Sequence, residues 1–461
     1  MNKSTVVILG GGVAGMGAAY ALARNGHSVT VVEAGPEVGG QAASFHRDGH
    51  AFPLGYHHIL HRDRHLLFFL DRIGALPRVR WRRIRMLFNM GRQSYDLSRL
   101  GDFWRFPMAA LDKARFILMM ARAFRKHEWS DWTGRSAQEL VDAWATPGVR
   151  QTLFEPLTHI KFGLPCSEVS GAWLGARLHH REGSAPLGCI PGASWTEVLC
   201  QGLADHLARL GVRLVTAAQV TGFHVRAERV FEVRTAAGET IGADAFISTI
   251  PTESLTSLLP EEDSPAIREV KYTALTSVIC AAPKLRDADF YWMNLVSLER
   301  TASGLFLLDA LNPTLGLPGE SYVNFVTHTR SRTLPFFAQS SEDELCARYL
   351  ADFHEVFGVA LQPRWTQVNR LPMYSPVFVP GYRNPNVRSA RFRNLYFAGN
   401  YCTFPSVAST GTALYSGLLA ANAILQGGPG YENVALAADG FQPRRFRSGL
   451  LGHGPAAEGF A

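Results

Sequence analysis

The first 33 residues restrict what this chain can become more than any other stretch. Thr5–Leu9 is a short β-branched run, the pattern of a buried parallel strand. Gly10, Gly12 and Gly15 then supply G-x-G-x-x-G, and from Val13 to Arg24 apolar residues recur at helical spacing until Gly26 stops the helix. Ser28–Val32 reads as a second strand, ending in Glu33 eighteen residues past Gly15. Each part has a physical task. Gly10 permits the tight turn, Gly12 lets backbone approach a pyrophosphate, and Gly15 allows close helix–strand packing. The free N–H groups of the first helical turn, at Val13 and Ala14, receive phosphates with the aid of the helix dipole. Glu33 can accept hydrogen bonds from ribose hydroxyls, and Ala34 continues the same loop. Glycine triplets are common by chance. A strand, glycines, helix, strand and terminal acid in this order specify a dinucleotide-binding βαβ unit.

The remaining composition is that of a globular α/β protein. Hydrophobic residues make up 47% of the 461 positions and charged residues 18%, with glycine spread along the chain, which excludes a disordered polypeptide. Lys and Arg exceed Asp and Glu by 46 − 39 = 7, so a basic surface could meet nucleic acid, anionic lipid or a phosphorylated substrate. The six cysteines show no CxxC pair and no histidine at ligand spacing, so neither a disulfide framework nor a metal site is expected. Scattered thiols fit a reduced, cytoplasmic location. The N-terminus imitates a secretory signal, but five glycines interrupt its apolar run, and no later segment is apolar enough to span a membrane.

Directly after the acid comes EAGPEVGGQAASF, which resembles the extended signature of the flavin amine oxidoreductase superfamily. That resemblance implies FAD as cofactor, with Gly39 and Gly40 letting the loop pass the pyrophosphate and ribityl chain. Gln41 stands where many members have Arg. A second block, NLYFAGNYCTFPSVASTGTALYSGLLAANAIL, is similar to the superfamily's C-terminal flavin motif. By that likeness Leu395–Phe397 is a strand and Gly399 faces the pyrophosphate. Asn400, in place of the usual Asp, keeps an acceptor for a ribityl hydroxyl. Residues 407–426 would form a helix whose first amides, near Val407 and Ala408, point at the flavin ring. Small residues (Gly411, Ala413, Gly417, Ala420) would let it pack closely. Between the two blocks, GVRLVTAAQVTGFHV fits the segment in which a valine, here Val220, contacts adenine. ADAFISTIPTESL fits the strand closing the adenine pocket, with Thr249 and Pro251.

The expected fold is therefore α/β: a discontinuous Rossmann-type FAD-binding domain of the glutathione reductase kind with an inserted α+β substrate domain. Residues 1–60, 185–270 and 385–430 form the first, residues 61–184 and 271–384 the second, and 431–461 a flexible tail. In the first insertion, residues 78–88 alternate as a strand with Arg on one side, and residues 111–129 read as a basic amphipathic helix. A solvated face explains that helix. A peripheral membrane contact through residues 78–126, with aromatic side chains entering lipid, is the second reading. No recognition fold accompanies the charge, so nucleic acid is not an expected partner.

AFPLGYHHIL falls where relatives carry a segment passing the flavin ring; Gly55 is kept and Pro53 replaces an Asp. Tyr56, His57 and His58 could reach flavin or substrate there, and a histidine titrating near neutrality suits proton transfer. Lys161, in EPLTHIKFGLP, resembles a loop of bacterial relatives and could hold water against the flavin. Tyr401, Cys402 and Phe404 follow the Ala-Gly-Asn turn, and Cys402 is the candidate for a covalent flavin bond. The resemblance implies hydride transfer from a C–H bond to flavin N5, with an apolar small molecule such as an isoprenoid, lipid or ring system as substrate. A non-redox mutase or isomerase using reduced FAD is the alternative, with Arg80, Arg82, Arg83 and Arg85 holding a diphosphate. A flavin-binding module with decayed catalysis is the third, motivated by Gln41, Pro53 and Asn400.

Overall fold

A computed structural model describes residues 3–179, 186–259, 264–285, 288–297, 300–330 and 335–426; the expected tail lies outside them. Strand β1 (Thr5–Leu9) leads through helix α1 (Val13–Arg24) to β2 (Ser28–Val32). They join β3 (Arg213–Val215), β4 (Ala245–Ser248) and β5 (Leu395–Phe397) in one parallel sheet of order β3-β2-β1-β4-β5. The alternation of side chains along a strand explains why apolar residues occupy successive positions in β1. Val6 and Ile8 enter one core beneath the helices, while Val7 and Leu9 enter another on the opposite face. Each fully buried Val, Leu or Ile contributes about 1.5–3 kcal/mol, so a sheet covered on both faces is strongly held.

The helical face is made by α1 and α2 (Thr410–Gln426), which meet at backbone distance. A Cβ on Gly17 would lie 2.8 Å from the Leu414 carbonyl oxygen, and one on Gly417 would collide with the Ala14 carbonyl. The opposite face is covered by a three-stranded antiparallel sheet, Val220–Arg226, Arg229–Thr235 and Thr240–Gly242, through Val230 and Val233.

Both insertions contribute to a second, seven-stranded sheet. Its order is Trp365–Pro376, Tyr272–Pro283, Glu320–Arg330, Gly304–Leu307, Trp292–Leu295, Met86–Met90 and Gln93–Tyr95. All pairs are antiparallel except Met86–Met90 against Trp292–Leu295. Helix Glu342–Phe357 covers one face, and the other looks toward Phe52 and Tyr56.

The expected strand over residues 78–88 is two strands. Arg80–Arg82 pairs with Leu187–Cys189, and Met86–Met90 joins the large sheet. One alternating run is broken because its halves serve different sheets. Arg85, at the break, is held by Asp96 and by Asp289 at 2.9 Å. The amphipathic helix spans Ala110–Arg125, and Lys113 is buried on it, donating to the Trp104 carbonyl. All six cysteines are buried free thiols, and no helix among the described residues is long and apolar enough to cross a membrane.

Candidate active site

The glycine-rich turn is built as the sequence dictates. Gly10 has φ +102°, where L side chains are strained, and its Cβ would fall 2.6 Å from Thr249 Oγ1. Gly39, at φ +125°, bridges to Gly12, and its amide donates to the Gly11 carbonyl at 2.9 Å. The first turn of α1 carries no side-chain cap and no acid. Its amides are therefore left to an external acceptor, as a pyrophosphate would be. Glu33 stands beside it with both carboxylate oxygens fixed: Oε2 accepts from Gly11 N at 2.7 Å, and Oε1 from Gly35 N at 2.8 Å. Each oxygen keeps a lone pair for a ribose hydroxyl. The residues present fit FAD.

At the C-terminal block, the Asn400 side chain accepts from Thr412 Oγ1 at 3.2 Å. Helix α2 begins at Thr410, three residues later than expected, because the Ser409 hydroxyl caps it by accepting from Thr412 N at 3.1 Å. Val407 and Ala408 are thus in the loop before the helix. A second acid reaches the start of α2: Asp63 caps helix Arg64–Arg72 through Leu66 N, and its carboxylate lies against the backbone of Gly411. Burial pushes its carboxyl up to about 6 despite the backbone amides that face it.

One cavity of about 1300 Å³ runs from this nucleotide end into a chamber walled by Tyr56, His58, Trp292, Phe306, His328 and Tyr374. Tyr56 stacks on Phe306 at 4.5 Å between centroids and hydrogen-bonds His328 Nε2 at 2.9 Å. His58 lies parallel to Trp292. His57 Nε2 donates to the Gln41 carbonyl at 3.0 Å, which leaves Nδ1 as acceptor. The Gln41 side chain in turn donates to the Met373 carbonyl. Lys161 Nζ lies 5.9 Å and 6.0 Å from the rings of Tyr56 and Tyr374.

This enclosure overturns one expectation. Burial pulls His57 down to about 4 and His58 to about 3, so neither titrates near neutrality. Burial likewise pushes Tyr56 up to about 12. Lys161 behaves differently: burial, with the charge of Arg177 nearby, lowers it to about 7.

Of the residues singled out from sequence, Gly10, Gly12, Val13, Ala14, Glu33, Gly39, Gly40, Gln41, Tyr56, His57, His58, Lys161, Thr249, Pro251, Gly399, Asn400, Val407 and Ala408 all line this cavity. Gly15, Ala34, Gly55 and Val220 do not. Gly15 serves packing, since a Cβ there would collide with the Gly10 carbonyl. Gly55 lies behind the wall, where a Cβ would sit 3.0 Å from Leu275 Cδ2. Ala34 is exposed, and Val220 opens a strand of the covering sheet. Arg80, Arg82, Arg83 and Arg85 are also outside the lining. Cys402 is buried beneath Tyr401, and burial pushes its thiol far up. Among the described residues no group of His, Cys, Asp and Glu could hold a metal. Sequence reasoning missed Asp63, Arg177, Trp292, Phe306, His328 and Tyr374. Asp63 alone carried a local signal, as an Asp three residues before an apolar run.

A family model described as flavin containing amine oxidoreductase matches residues 13–425. A 15-cis-phytoene desaturase of Synechococcus elongatus is 22% identical over 91% of this chain and 95% of its own length. A D-amino acid dehydrogenase of a Methylobacterium species is 29% identical over 59% of this chain and 66% of its own. Among solved structures, a protein described as a protoporphyrinogen oxidase, from Exiguobacterium, superposes with a TM-score of 0.75 at 17% identity, covering 93% of this chain and all of that one. A reduced UDP-galactopyranose mutase gives 0.71 at 14% identity, over 93% and 95%. The likeness to these two structures is one of fold.

Proposed function

The chain belongs to the flavin-containing amine oxidoreductase family, with FAD as its cofactor, and from that premise we propose an FAD-dependent dehydrogenase or oxidase acting on a largely apolar substrate. The observation that carries this reading is the continuity of the cavity. The Glu33 and Gly12 end, which fits a dinucleotide, opens without a break into the aromatic chamber. When bound, FAD supplies the hydride acceptor; the protein supplies position and environment.

Gly39, Gly40, Gly399 and Asn400 would hold the cofactor between the two halves. Tyr56, Trp292 and Phe306 then present flat apolar faces to the substrate and exclude water from it. His57, tied to the Gln41 carbonyl, and Tyr56, tied to His328, are fixed wall groups with neutral side chains at physiological pH.

The cavity mouth supports delivery from a lipid surface. Leu60 and Phe124 line the cavity and are also exposed. Leu100 and Trp104 stand exposed on the preceding helix, Trp104 at 57%, and Leu111, Ile117 and Leu118 on the helix that carries Phe124. Arg115, Arg122 and Arg125 project from the same helix without an ion-pair partner among the described residues. Apolar side chains flanked by unpaired arginines fit an anionic bilayer surface.

The test is anaerobic addition of isoprenoid, porphyrinogen and amine compounds to the purified yellow protein. Bleaching of the flavin band by one class supports the reading and names the class. Product that forms only after dithionite, without net oxidation, replaces it with the mutase or isomerase alternative.

A further inference from the structure

Four Lys or Arg side chains line the cavity: Arg62 and Arg64 are exposed on either side of Asp63, while Lys161 and Arg177 are enclosed and have no acid beside them among the described residues. Lys161 comes from helix Glu155–Phe162 and Arg177 from helix Gly171–His179, and both line the chamber. Neither makes an ion pair with a described residue. Only two carboxylates line the whole cavity, Glu33 and Asp63: the first accepts from Gly11 N and Gly35 N at the nucleotide end, and the second from Leu66 N while lying against Gly411 at the start of α2. Around the cations the wall is apolar or aromatic: Phe88, Phe154, Leu157, Trp173, Leu174 and Phe306. Arg177 lies 5.8 Å from the Trp173 ring, and Lys161 lies over two tyrosines. Ring contacts offset only part of the cost of withdrawing a charge from water. Two like charges facing one chamber without a counter-ion are arranged for an anion that arrives with the ligand.

We propose that Arg177 and Lys161 form a subsite for an oxyanion, carboxylate or phosphate ester, carried at one end of an otherwise apolar substrate. The inference rests on the reading of this cavity as a substrate chamber and deepens it. The guanidinium offers a planar fork to two oxygens, and the ammonium adds a point charge beside it. The apolar body then extends along the aromatic wall toward Phe124 and Leu60 at the mouth. A substrate amine, cationic at neutral pH, is repelled from the same place.

Lys161 also makes the binding proton-linked. Burial and Arg177 hold it at about 7, and an anion alongside favours its charged form. Above that pH, binding takes up a proton, and affinity falls as pH rises.

The experiment uses the FAD-loaded protein and four ligands sharing one body: farnesoic acid, farnesyl monophosphate, farnesol and farnesylamine. Binding is read from the perturbed flavin spectrum, and proton uptake from an indicator dye at about pH 8. The acid or the phosphate should bind at least about tenfold tighter than farnesol, with the amine weakest, and whichever of the two is preferred names the oxyanion. Arg177→Met should collapse that preference, and Arg177→Lys should keep part of it, which separates lost charge from lost folding. Lys161→Met should abolish the proton uptake. Equal binding of all four, no binding of any, or a preference that survives Arg177→Met overturns the subsite. Flavin bleached by farnesol with no anion preference would leave the redox reading standing. Selective anion binding without flavin reduction by any substrate would leave the subsite and remove the redox reading.

Discussion

The carboxylate of Asp63, which caps helix Arg64–Arg72, lies against the backbone of Gly411 in the first turn of α2, so one side chain ties together two helices separated by more than three hundred residues of sequence. A Cβ at Gly411 would collide with that carboxylate. Because burial raises Asp63 from 3.8 to about 6, the native state holds its proton to higher pH than the unfolded chain. Native protein then binds more protons across that window, and the contribution of Asp63 to stability declines as pH rises through it. The stability difference between the wild type and Asp63→Asn, from denaturant melts, should shrink by on the order of 3 kcal/mol from below that window to above it. A flat difference curve would show that Asp63 titrates normally.

Glu33 is held by two amides before any ligand arrives. Glu33→Gln replaces an acceptor-only group with one that turns a donor toward an N–H. FAD affinity, titrated by flavin fluorescence on apoprotein, should weaken by about 10- to 100-fold, as expected for loss of charge-assisted hydrogen bonds. An unchanged dissociation constant would move the ribose elsewhere.

Cys402 stays a thiol. Burial alone pushes it up, with no cation beside it to form the thiolate that a covalent flavin bond needs. Acid precipitation of the protein should leave all of the FAD in the supernatant. Yellow colour retained in the washed pellet would contradict this.

Trp104 and Leu118 are exposed apolar side chains on two successive helices of the first insertion. Replacing both with Ser should reduce co-sedimentation with phosphatidylglycerol-containing vesicles by about tenfold or more, given roughly 1.5–3 kcal/mol for each apolar side chain withdrawn from lipid. Binding of the wild type should also weaken in about 0.5 M salt, which screens Arg115, Arg122 and Arg125. Vesicle binding indifferent to both changes would place the apolar patch outside the contact.

The nucleotide end was legible because its parts are contiguous. Strand, glycines, helix and Glu33 are set by local geometry, and the ends of β1, α1 and β2 fell where the sequence put them. The start of α2 was misplaced because Val407 and Ala408 continue the apolar pattern while a hydrogen bond to Ser409 sets the boundary. The chamber was least legible. Trp292, Phe306, His328 and Tyr374 come from four strands of one sheet, brought opposite Tyr56 only by pairing across distant sequence. Arg177 looked like any other arginine on a short helix. What distinguishes it is the lack of a carboxylate around it, and only the folded chamber reveals that.

The contact between Gly17 and Leu414 bears on how the protein is made. A ribosome finishes β1, α1 and β2 long before it reaches β5 and α2. Until then α1 has no partner along its glycine face, and β4 lacks its outer neighbour. The emerging chain therefore carries a partly open nucleotide cradle through most of its synthesis. FAD capture becomes a late event, and a stalled or prematurely terminated product should emerge colourless and dependent on chaperones.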